Sequence, residues 1–158
     1  MNRLLVGTAL LVGVAVAPSC RAADEDDVQA AFVEFQAALK SGDPEKIWPL
    51  LVKETQDNAD KAASLLKRNY EKAKPAEKKV LEKAFGLSDV ELKDVTGKVY
   101  LKSKRFLGKY HEIPGSKFDK ATVEGDKATV NYTEDDGDKE KLALVKQDDK
   151  WKVSIRVE

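Results

Sequence analysis

The apolar residues of this chain change period at Pro114-Gly115, and that change limits the fold more than any other feature. Beyond it they recur at every second position. Ala121 and Val123 alternate before the Gly125-Asp126 turn, Ala128, Val130 and Tyr132 after it, and Leu142 and Leu144 beyond the acidic turn Glu134 to Asp138. Trp151, Val153, Ile155 and Val157 close the chain. Each run is apolar on one side and Lys, Thr or Asn on the other, the signature of an antiparallel meander with one wet face. Such a sheet needs a cover for its apolar face.

The cover lies in the front half, where the period is helical. Val28, Ala31, Phe32, Phe35 and Leu39 share one helical face, with Asp26 or Asp27 as the expected cap and Gly42 as the stop. Ser41-Gly42-Asp43-Pro44-Glu45 predicts a stop and restart: Asp43 supplies a capping oxygen, Pro44 needs no amide partner, and Glu45 suits the positive helix end. Ile47, Trp48, Leu50 and Leu51 follow, with a kink or break expected at Pro49. The spacing predicts a third helix over 58–74, capped by Asp57, and a fourth opened by Pro75 and ended by Gly86. Between Thr96 and Leu107 the residues Val99, Tyr100, Ser103, Phe106 and Leu107 predict one more helix, with Gly108 as its terminator. The fold class expected is therefore α+β, N-terminal helices packed on a curved antiparallel C-terminal sheet.

The first residues carry the layout of a secretory leader over 1–23: a basic start at Arg3, an uncharged stretch from Leu4 to Ala17, then small residues. That stretch is shorter than the roughly 20 residues of a membrane span. Cleavage is expected after Ser19 or Ala22, leaving one domain over 24–158. Cys20 is the single cysteine, and Ala17-Pro18-Ser19-Cys20 is a poor match to a bacterial lipidation box, so membrane attachment is expected only if Cys20 is acylated. The chain has 28 basic and 28 acidic residues, and loss of Arg3 and Arg21 leaves a net charge of −2. Nothing in that balance suits a nucleic-acid binder. Without a disulfide, stability has to come from the apolar core.

Three segments resemble the NTF2-like, or cone-fold, superfamily, and most of all its small secreted or lipoprotein members. They are the Val123 to Val130 strand turn with its Gly125-Asp126-Lys127-Ala128-Thr129-Val130 run, the Leu142 to Lys146 strand, and the closing Asp149-Lys150-Trp151-Lys152-Val153. The Ser41 to Trp48 restart is similar to the family's break between its first two helices. The resemblance implies a sheet curled round a helix with an apolar cavity open at one end, used by members for ligand binding, for isomerase or dehydratase chemistry, or for protein contacts. The helical stretch between Asn58 and Gly86 is longer than the family's usual connection. Fold alone does not specify chemistry.

Phe32, Phe35, Trp48, Tyr100, Tyr132 and Trp151 are the aromatic residues expected to line such a cavity. His111, the one histidine, is the natural titrating group, but Glu112 beside it would point to the opposite face of a strand. Tyr110 and Tyr132 are candidate hydrogen-bond donors. No Asp or Glu is expected at an inward-facing strand position, Asp119 and Glu124 being of the wrong parity, which weighs against catalysis. The acidic turn lacks the spacing of a calcium loop, there is no spaced His or Cys set for zinc, and no cofactor is expected. Lys98, Lys102, Lys104, Arg105 and Lys109 open a basic run suited to an anionic surface or an acidic partner. The expectation is an exported binding or interaction module that carries out no catalysis. It would take a small apolar ligand, a partner protein or a second copy of itself. A small enzyme using His111 or a tyrosine, and a structural envelope protein with a filled core, are the alternatives.

Overall fold

The computed structural model describes the backbone of residues 19–157 and the side chains of residues 24–157. Residues 1–18 of the expected leader and the side chain of Cys20 lie outside the described residues. The long helix α1 (Ser19–Ser41) buries Val28, Phe32, Phe35 and Leu39, the stripe its spacing predicts. Asp26 and Asp27 lie inside this helix and do not cap it, because it begins earlier than its apolar stripe does. The restart is as predicted: the Asp43 carboxylate accepts the Glu45 N–H at 2.9 Å, and Pro44 opens the short α2 (Pro44–Ile47). Pro49 then converts the chain to a single 3-10 turn, Trp48–Leu50.

The next helix, α3 (Lys53–Lys72), starts five residues before the expected 58, so that Asp57 is not its cap and instead pairs with Lys53 one turn back at 2.7 Å. Its N-cap, Val52, offers no side-chain oxygen; the Val52 N–H is used in a bond to the Val153 carbonyl at 3.0 Å. α4 (Pro75–Phe85) ends at Gly86, whose φ of 66° is open to glycine at little cost. α5 (Asp89–Lys93) is capped by Ser88. The single helix expected from Thr96 to Leu107 is two, α6 (Gly97–Tyr100) and α7 (Lys104–Lys109). Thr96 caps the first as expected, but Ser103 caps the second with its hydroxyl on the Phe106 N–H, which breaks the helix between them. Gly97 allows α6 to touch α3: a Cβ there would stand 2.4 Å from an Asp60 carboxylate oxygen that instead accepts the Gly97 N–H at 2.9 Å.

A 3-10 turn, Ile113–Gly115, leads into the strands β1 (Lys117–Glu124), β2 (Lys127–Thr133), β3 (Lys139–Gln147) and β4 (Lys150–Ser154). They form one curved antiparallel meander in the order β1-β2-β3-β4. A bulge between Phe118 and Lys120 shifts the β1 register by a residue, so Phe118, Ala121 and Val123 all meet inward-facing partners, Tyr132, Val130 and Ala128. The free edge of β4 is partly covered by Leu51, which bridges Val153 in parallel. Phe32 on α1 is fully buried against this face, with ring centroids 6.1 Å from Phe118 and 5.6 Å from Tyr132. Burial of a side chain of this size stabilises by about 1.5–3 kcal/mol. Gln36, one turn on, donates to the Ile113 and Ser116 carbonyls at 2.8 Å and so ties α1 to the entry of β1. Among the described residues no helix is long and apolar enough to cross a membrane.

Candidate functional site

The sheet opens where β3 outruns β4. Pairing between them ends at Ala143 and Ser154, while β3 continues back to Lys139 with β2 as its neighbour on the other side only. The tail leaves because α3 takes hold of it: the Thr55 hydroxyl, on a residue 2% exposed, donates to the Ile155 carbonyl at 3.1 Å and accepts the Ile155 N–H at 3.2 Å. The Tyr110 hydroxyl donates to the next carbonyl, that of Arg156. Between the diverging tail and the first half of β3 lies a cleft of about 480 Å³, within the size range of small-molecule sites.

Its walls carry Tyr110, Tyr132 and three carboxylates, Glu112, Glu134 and Glu140, with Lys109, Lys141 and Arg156 around them. The expectation that no acidic residue faces inward is incorrect. Glu140 pairs across the ladder with Tyr132 and shares the parity of Leu142 and Leu144, and Glu134 lies two residues beyond Tyr132. Crowding of these carboxylates sets the electrostatics. Burial, then the Glu112 carboxyl, then the charges of Glu140 and Asp136 push Glu134 up from 4.5 to about 7. Tyr132 is pushed up to about 12, by burial first and then by Glu134, Glu140 and Glu112. The residue is 5% exposed, its hydroxyl opens on the cleft, and no hydrogen bond to that hydroxyl occurs among the described residues. Water or a ligand in the cleft can bond to it.

Tyr110 and Tyr132 are thus brought to one cleft, and His111 is not. His111 sits on an exposed turn, its Nδ1 at 2.9 Å from the Gly108 carbonyl and its Nε2 at 3.6 Å from Glu112. The segment is not a strand, so Glu112 does not point away from it. The six aromatic residues expected to share a cavity are dispersed. Phe32 and Phe35 are fully buried core and Trp48 is half-buried on the α2 side. Tyr100 packs on Phe85 at 6.1 Å, and Trp151 lines a separate cleft near Asp27 and Glu34. The Trp151 indole N–H is buried with no acceptor among the described residues, and Lys146 lies 5.6 Å from its ring.

The basic run is largely occupied within the fold. Lys98 pairs with Glu45 at 3.0 Å, Lys102 with Glu91, and Lys109 lies over the Tyr110 ring at 5.8 Å. Arg105 stands 5.9 Å over Phe85, and Lys104 crosses Gly86. The acidic turn closes on itself, Glu134 N–H to Asp138 carbonyl at 2.8 Å and Asp138 N–H to the Asp136 carboxylate at 3.0 Å. No group of three His, Cys, Asp or Glu among the described residues could hold a metal ion. Comparison of the chain with family models, with curated proteins and with solved structures gives no match. The chemistry therefore has to be argued from these side chains.

Proposed function

We propose that this protein is an exported binding module of the NTF2-like kind and holds a small ligand in the cleft between β3 and the C-terminal tail. The observation that carries the reading is the Tyr132 hydroxyl, which opens on the cleft beside three carboxylates and forms no hydrogen bond among the described residues. A ligand entering the cleft meets a hydroxyl there that can donate or accept a hydrogen bond, and the tyrosine would in turn orient the ligand. The lining is more polar than an apolar ligand would need, so the ligand has a polar group directed at Tyr132 and the carboxylates. Native mass spectrometry of the chain from its own host, followed by denaturing release, tests this. Release of a small molecule at one per chain from the wild type and its loss from Tyr132→Phe is expected; a bare wild-type chain would remove the proposal.

Glu134 favours a second reading. A carboxyl titrating near 7 beside two tyrosines has the protonation balance of a general base with hydrogen-bond donors at hand. On that reading Glu134→Gln keeps ligand affinity and abolishes turnover of the released compound; on the first there is no turnover to abolish.

A further inference from the structure

The α3–α4 hairpin carries an open apolar groove, far in sequence from the carboxylate cleft. Leu66, Leu81 and Phe85 form its floor, and Asn69 and Leu81 join its two halves. On its rim Leu65 is 53% and Val80 66% exposed. Single exposed aliphatic residues are common on protein surfaces, but these two border adjoining apolar hollows that share Asn69 and Leu81. Around them the charge is one-sided. Between Leu65 and Ala84 there are seven basic and three acidic side chains. Glu77 accepts the Lys74 backbone N–H and Glu82 the Tyr70 hydroxyl, neutral donors that leave both carboxylates charged, so the stretch carries a net charge of +4. Lys72, Arg105 and Glu77 line the groove, and the exposed Arg68 and Lys83 lie one helical turn from Leu65 and Val80. Long basic side chains can lie along apolar surface with their charged ends outward.

From this we infer that the hairpin docks on an anionic lipid surface, Leu65 and Val80 entering the headgroup boundary and the surrounding Lys and Arg meeting lipid phosphates. Apolar tips ringed by cations are what such an interface selects, and neither half alone binds it firmly. The inference does not depend on what the cleft holds.

Vesicle co-sedimentation tests it, using the chain as its own host produces it and carrying Cys20→Ser in every sample so that no acyl group contributes. Binding to phosphatidylglycerol vesicles should exceed binding to phosphatidylcholine vesicles and weaken steeply as salt is raised. The double variant Leu65→Asp, Val80→Asp changes only exposed positions, and circular dichroism will show that it folds. It should lose at least about tenfold in vesicle affinity, as should Arg68→Glu, Lys83→Glu. Equal binding to neutral vesicles, no binding to anionic ones, or indifference to Leu65→Asp, Val80→Asp would overturn the proposal. So would binding to soluble polyglutamate that survives the loss of Leu65 and Val80, since an acidic protein would then be the partner.

Discussion

Two buried tyrosines in this molecule are each surrounded by carboxylates, and they differ in one respect that separates structure from site. Tyr70, on α3, directs its hydroxyl at Glu82 and Asp89, both at 2.7 Å, and so fastens α3 to α4 and α5. Burial first and then those two partners push its pKa up, while Lys93 and then Tyr70 hold Asp89 low. Every group there is satisfied within the chain. Tyr132 has Glu134, Glu140 and Glu112 as neighbours, yet its hydroxyl opens on the cleft with no hydrogen bond among the described residues, and Glu134 is pushed up to about 7. The same residue types close one region and leave the other open, so the second is where something from outside has a place to bind.

The strongest test of the comparison removes what holds the open region in place. Phe32→Ala should cost about 3–5 kcal/mol in urea denaturation, since the ring is fully buried against both Phe118 and Tyr132. A loss under about 1 kcal/mol would mean that the wall behind Tyr132 is loosely packed and the cleft poorly defined. Next comes the pair Tyr70→Phe and Tyr132→Phe. The first deletes hydrogen bonds to two carboxylates and should destabilise by about 1–3 kcal/mol. The second deletes a hydroxyl that no described group uses, and should change stability by less than about 0.5 kcal/mol while weakening ligand retention. Equal losses in the two variants would end the distinction between a closed and an open site.

Much of this architecture can be read in the residues. Gly42-Asp43-Pro44 and Gly86 act through their own backbone preferences, and the period-two runs predict the strands of the meander. What escapes is whatever depends on contacts across the fold. The start of α3 at Lys53 has no capping side chain to announce it, because the Val52 N–H bonds to Val153, a hundred residues away. The bulge in β1 adds a residue that sequence parity cannot count. Glu134 and Glu140 sit in a stretch whose Asp and Gly spell a turn, so their alignment with Tyr132 emerges only from the β2–β3 register. The signal that could have found them is the continuation of alternation past the last apolar residue: Val130, Tyr132, Glu134 and then Glu140, Leu142, Leu144. That the Tyr132 hydroxyl opens on a cleft while the Tyr70 hydroxyl is bonded within the fold has no sequence signature at all.

The smallest effect expected is a slope, and it separates the two regions by sign. Glu134 has a folded pKa near 7 against an ordinary 4.5. Between those values the folded chain keeps a proton that the unfolded chain releases, so this group's contribution to stability falls as pH rises through that window and is fully unfavourable above it. Glu91, at the end fastened by Tyr70, behaves oppositely: Lys102 first and then Ser88 hold it down at about 2, so its contribution is complete above 4.5 and is lost as pH falls towards 2. Denaturation midpoints measured across pH should therefore drift downward from 4.5 to 7 in the wild type, and Glu134→Gln should flatten that drift while leaving the acid limb intact. Glu91→Gln should do the reverse. A drift unchanged by Glu134→Gln would show that the carboxylate does not titrate in that window, and the acid–base reading of the cleft would fall with it.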